Sequence, residues 1–109
     1  VLGLGLDVGA TVQASRREDR VLGLYAADLG ECHESPLDAL APVSEPAWAN
    51  YALGVAAGFR ARGVQGFGLN LEISSTVPLG AGLSSSAALE CATGRALQQA
   101  WGSAFDDLE

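Results

Sequence analysis

The chain has 109 residues, 49% of them apolar and 17% charged, with 13 acidic against six basic residues and a formal charge of −7. That length holds at most one small domain, or part of a larger one, and the apolar fraction argues for a buried core and against disorder. The acidic balance argues against a nucleic-acid or anionic-membrane partner, because phosphate-rich surfaces are bound by clustered Lys and Arg.

Cys32 and Cys91 have no metal-ligand spacing and are too few for a disulfide framework, so both are expected reduced, in a cytoplasmic setting. No run approaches the roughly 18 consecutive apolar residues of a membrane span. The first ten residues carry no basic leader or cleavage pattern, and methionine is absent throughout.

From Val1 to Ser15 the alternation of Leu2, Leu4, Leu6 and Val8 with small or polar residues predicts one strand or a bent pair, with Gly9 as a bulge. Arg16 to Arg20 reads as a solvated hairpin turn, after which Val21 to Ala26 is expected to pair back as a second strand. Asp28 to Pro46 holds three prolines and few periodic apolar residues, and is expected to be a surface connection. His33, the one histidine, lies in it and reads as a solvated surface residue.

At Trp48 the period changes. Trp48, Tyr51, Val55 and Phe59 recur at helical spacing and predict one apolar face. Gly54 and Gly58 weaken such a helix by roughly 1 kcal/mol each relative to Ala, which a close helix-to-sheet contact would explain. Arg60 to Gly63 supplies a helix stop. Phe67, Leu69, Leu71 and Ile73 then alternate with Gly68, Asn70 and Glu72, predicting a strand. A last helix, Ser86 to Trp101, presents Leu89, Thr93, Leu97 and Trp101 as a buried stripe.

Between that strand and that helix runs Pro78-Leu79-Gly80-Ala81-Gly82-Leu83-Ser84-Ser85-Ser86-Ala87-Ala88. Pro78 resists helix, and the two glycines let the backbone turn tightly and approach a ligand closely. Three hydroxyls follow where the helix begins, at the positive end of its dipole, which favours an anion. The plainer reading is a strand-to-helix loop whose serines cap the helix. It is not a Walker loop, since all six basic residues are arginines and no lysine can reach a phosphate. Nor is it a dinucleotide fingerprint, which needs a third glycine and an acid about 20 residues on.

The eleven-residue word resembles the glycine-rich loop of the GHMP kinases, and within them that of the galactokinases. The resemblance extends to Val1-Leu2, to Leu6-Asp7-Val8-Gly9-Ala10-Thr11-Val12, to Leu24-Tyr25-Ala26-Ala27-Asp28, and to Trp48-Ala49-Asn50-Tyr51 followed by Gly54-Val55. Mevalonate and homoserine kinases are similar in the loop but usually lack the Trp-Ala-Asn-Tyr word. Two departures stand out. Gly3 replaces the proline usual after Val-Leu, which would loosen the strand entry, and Ala26 replaces a serine that some members offer the nucleotide.

The resemblance implies an α+β fold, with residues 1–109 as part of a GHMP-kinase N-terminal, nucleotide-binding domain of the ribosomal protein S5 domain 2-like type. Such a domain has an antiparallel or mixed sheet packed with helices. It implies ATP and Mg2+ as cofactors and transfer of the γ-phosphoryl of ATP to the anomeric hydroxyl of galactose. Gly80, Ala81, Gly82, Leu83, Ser84, Ser85 and Ser86 would wrap the phosphates, Ser86 would also be the magnesium ligand, and Trp48 and Tyr51 would lie near the adenine. A capping role for Ser86 and plain core packing for the two rings are the simpler alternatives.

No catalytic residue is expected in this chain. The family's Gly-Glu-His-Thr-Asp-Tyr segment, its magnesium-binding glutamate and its active-site aspartate would lie outside it, so the chain reads as an internal fragment, inactive alone. Two other readings accompany the resemblance: another sugar kinase of the family, such as an N-acetylgalactosamine kinase, or a non-catalytic galactose and ATP sensor. The intact Ser86-Ala87-Ala88 leans toward an enzyme.

Overall fold

A computed structural model describes residues 3–7, 9–44, 48–75 and 86–102. Five strands form one mixed sheet: β1 (Gly3–Asp7), β2 (Ala10–Arg16), β3 (Val21–Ala26), β4 (Glu31–Pro36) and β5 (Leu69–Ser75). A short 3-10 turn, Leu37–Ala39, and helix α1 (Ala49–Ala61) separate β4 from β5, and α2 (Ser86–Trp101) follows. The spatial order is β1-β2-β5-β3-β4, with β5 parallel to β3 and every other neighbour antiparallel. The α+β expectation and the bounds of the last helix hold. Among the described residues no helix is long and apolar enough to cross a membrane.

The bent pair is a hairpin, β1 and β2, turning at Gly9 with φ 98°. The expected pairing of Val21–Ala26 back onto the first hairpin is not what forms. β5 stands between them, because residues 16–20 cross over the start of β5 instead of closing a tight turn. Arg17 N–H donates to the Gly68 carbonyl at 2.9 Å, and a Cβ on Gly68 would run into the carbonyl of Asp19. β5 suits this central place, since Leu69, Leu71 and Ile73 are each 1% exposed or less. It starts at Leu69, not Phe67, because the Phe67 carbonyl accepts from the Trp101 indole at 3.1 Å and its ring lies under the Arg16 guanidinium.

The expected surface connection from Asp28 to Pro46 is also corrected. Leu29 and Gly30 both donate to the Ala26 carbonyl, closing a turn with Gly30 at φ 66°, and the chain returns as β4. β4 has polar residues on both faces and is held by its ladder to β3. His33 is accordingly half-buried on a strand, its Nε2 2.9 Å from Ser35 Oγ, and not a solvated loop residue.

Both helices cover one face of the sheet, which buries Ala10, Val12, Ala14, Leu22, Leu24, Ala26 and the apolar row of β5. Leu89, Thr93, Leu97 and Trp101 are all buried, as their spacing predicts. On α1 the buried face is different from the one expected. Ala49, Ala52, Leu53, Ala56 and Phe59 face the core, Trp48 joins them at the helix entry, Val55 is half-buried and Tyr51 is exposed. Small side chains let α1 lie close to the core, whereas the expectation followed the large ones.

The close contact invoked for Gly54 and Gly58 belongs elsewhere. Among the described residues nothing lies within 4 Å of a Cβ built on either. It is Gly3 and Gly5 on β1 whose side chains would strike the carbonyls of Ala96 and Ala92 on α2. Gly3 is thus a packing residue, placed where any side chain would meet α2. Arg62 and Gly63 close α1 through bonds to the carbonyls of residues 58–60, Gly63 at φ 95°.

Candidate functional site

The strand register collects one end of the sheet. Asp7 pairs with Ala10, Ala10 with Ser75, Ile73 with Ala26, and Ala26 with Glu31. The turn at Gly9, the last residue of the central strand and the start of β4 therefore lie along one edge. α2 brings its beginning to the same edge. Gly5 faces Ala92 and Gly3 faces Ala96. Two residues of strand and four of helix each advance about 6 Å in opposite senses. α2 thus runs antiparallel to β1, and Ser86 lies toward the Asp7 end. An α-helix presents unbonded N–H groups and a partial positive charge at its start, the chemistry an anion requires.

α1, on the same face of the sheet as α2, reaches that edge at the start of β4. Trp48 is 7% exposed, and its indole Nε1–H donates to the Glu31 carboxylate at 2.6 Å. Asn50 is spent on backbone: its Oδ1 accepts from Val43 N–H and its Nδ2 donates to the Val43 carbonyl, both at 2.8 Å. Tyr51, 38% exposed, stands one residue further along the same turn.

Gly80, Ala81, Gly82, Leu83, Ser84 and Ser85 lie outside the described residues, as does the Ser86 side chain, although Ser86 is the first residue of α2. The sheet brings together both flanks of that connection, the first turn of α1 and the start of β4. Glu31 was not foreseen. It falls in the segment expected to be a connection, and the available signal was Asp28-Leu29-Gly30, a turn word followed by six residues that can pair back.

The charged clusters lie away from this edge. Arg17 bonds Asp19, Glu34 and Asn70, and Arg20 and Arg60 both bond Asp38. The Arg17 guanidinium holds the Asp19 carboxyl below the usual carboxylate range, and Arg20, helped by Arg60, does the same to Asp38. A shallow hollow of about 300 Å³, lined by Gln13, Tyr25, Glu34 and Glu72 among others, opens on the sheet face opposite the helices.

The sequence profile described as GHMP kinases N terminal domain matches residues 50–109, more than half of the chain. The chain belongs to this family. Among curated relatives, it is 45% identical over 101 residues to a galactokinase of Haemophilus influenzae (strain PittGG), covering 91% of this chain and 26% of that protein. It is 39% identical over 98 residues to a galactokinase of Chloroflexus aggregans, covering 90% and 25%. The chain thus spans about a quarter of the length of the relatives it matches.

Among solved structures, Lactococcus lactis galactokinase complexed with galactose superposes with TM-score 0.71 at 30% identity, over 92% of this chain and 28% of that one. Methanococcus jannaschii mevalonate kinase superposes with TM-score 0.66 at 19% identity, over 94% and 32%, a likeness of fold. The GHMP fold expected from the loop and the short words is the fold observed.

Proposed function

We propose that this chain is the nucleotide-binding part of an ATP-dependent sugar kinase that phosphorylates galactose at its anomeric hydroxyl. The observation that carries the reading is the single sheet edge where β5 ends, α2 begins and α1 enters, joined by a sequence word of family type. The 39–45% identity to galactokinases favours galactose as the acceptor.

The amides of Gly80 to Ser85 and the start of α2 would hold the phosphates, with Ser86 as a magnesium ligand and an aromatic residue of α1 beside the base. The donor set fits: a sixteen-residue helix opens at Ser86, and its first N–H groups have no intrahelical acceptor. Magnesium, when bound, supplies charge neutralisation at phosphate oxygens and takes oxygen ligands such as a serine hydroxyl. Positioning and charge stabilisation dominate such transfers. The groups that hold the sugar and activate its hydroxyl would come from segments other than these residues. Cys32 and Cys91 are both free and exposed, which suits the reducing cytoplasm.

The test is phosphoryl transfer by the full-length protein carrying these residues, with MgATP and a panel of sugars, followed by 31P NMR. Galactose 1-phosphate as the main product supports the reading. Absence of nucleotide binding, or exclusive use of another acceptor, overturns it or its sugar.

A further inference from the structure

We propose that Glu31 is a positioning residue for the base end of the nucleotide site, acting through Trp48; this rests on the nucleotide reading above. α1 enters at Trp48 with no side-chain cap of its own. Two latches take the place of a cap. Glu31, the first residue of β4, accepts the Trp48 indole N–H at 2.6 Å, a short bond of the charge-assisted kind. Asn50 binds the Val43 backbone through both its amide groups. The first turn of α1 is thereby tied to the sheet edge and to the segment leading into it.

The same geometry divides the work of the two rings. Trp48 is buried in the core cluster with its polar atom engaged, so it anchors the helix. Tyr51 is exposed beside it, so it is the aromatic face a base can reach. Glu31 touches neither nucleotide nor sugar in this scheme. Its effect is to fix the Trp48 rotamer, and so the height and tilt at which Tyr51 meets the ligand, before the ligand arrives. Preorganisation of this sort is felt in affinity and not in the chemical step.

The experiment compares Glu31→Ala, Glu31→Gln and Trp48→Phe in the full-length protein. It measures KM for MgATP and galactose, kcat, thermal unfolding, and the indole N–H resonance of Trp48 in a 15N-tryptophan-labelled sample, assigned by its loss in Trp48→Phe. Glu31→Ala is expected to shift that resonance and raise KM for MgATP about three- to tenfold, the effect of ordering one side chain on binding. The KM for galactose and kcat should stay at wild-type values.

Glu31→Gln, which keeps a carbonyl acceptor, should restore most of the affinity. Trp48→Phe should weaken MgATP alike, and adding Glu31→Ala to it should change nothing further. An unmoved indole resonance in Glu31→Ala overturns the contact. A lowered unfolding temperature with unchanged KM for MgATP overturns the positioning role while leaving the nucleotide reading intact. A wild-type protein that binds no nucleotide overturns that reading, and this proposal with it, before any variant is made.

Discussion

Gly5 on β1 sits directly against the backbone carbonyl of Ala92 on α2, with no space for a side chain between them. The contact sets how closely α2 lies on the sheet, and through that how the beginning of α2 meets the end of β5. A methyl group here must push backbone against backbone. Gly5→Ala is therefore expected to destabilise the fold by about 1–3 kcal/mol, the usual range for overpacking a tight contact. Urea unfolding should show a lower midpoint at unchanged slope.

The glycines of α1 predict the opposite sign. Gly54 and Gly58 lie inside a helix, exposed, with no described residue near the added methyl. Gly54→Ala and Gly58→Ala should each stabilise by about 0.5–1 kcal/mol through helix propensity and a less disordered unfolded chain. Thermal unfolding reads this directly, and a loss of stability would show that another segment occupies that helix face.

Thr93 is fully buried in α2, and its hydroxyl finds no hydrogen-bond partner among the described residues. Thr93→Val keeps the shape and removes the unpaired oxygen, so it is expected to be neutral or stabilising by about 1 kcal/mol. A clear destabilisation in chemical denaturation would mean that the hydroxyl has a partner beyond these residues.

Ser86→Ala in the full-length protein should reduce phosphoryl transfer most at limiting magnesium and leave galactose binding near wild type. The loss of a serine at a helix start costs only ~1 kcal/mol of stability, so the helix survives the change. Initial rates across a magnesium titration, with galactose affinity measured separately, check this. An unchanged rate at limiting magnesium removes Ser86 from the metal site.

Acid should weaken the fold through Asp19 and Asp38. Their folded values lie below the usual carboxylate value, so their contribution is present above about pH 4 and fades as the pH falls through the lowered values. Both are exposed, so the effect is modest. Asp38→Asn should flatten the acid limb of a stability-against-pH curve and leave the neutral region less stable than wild type. An acid limb of wild-type steepness in the variant would rule Asp38 out as a source.

Helix α2 was readable because four residues at helical spacing all point inward, and Ser86 marks its start. β5 was readable for the same reason at period two. What could not be read was adjacency. Alternation says that a segment is a strand but not which strand lies beside it, and the crossing of residues 16–20 over Gly68 is a tertiary fact. β4 escaped notice because Glu31, His33 and Ser35, the residues on its helix-covered face, are polar and carry no hydrophobic period. Of the candidate site, the loop word and the aromatic pair were legible as letters, while the separation of Trp48 from Tyr51 by burial needed the Glu31 contact to be seen.

The strand order carries a cost for a chain emerging from its N-terminus. β1 and β2 can pair as soon as they appear, and so can β3 and β4, but the two hairpins do not touch each other through backbone bonds. The strand that joins them is the last of the five to be synthesised, after α1 is already complete. Until it inserts, β2 and β3 each present an open edge, the kind of edge that recruits strands from other molecules. A nascent chain stalled or cut before residue 69 would hold two separate hairpins and no strand to join them, and it is at that stage that aggregation through the open edges of β2 and β3 would begin.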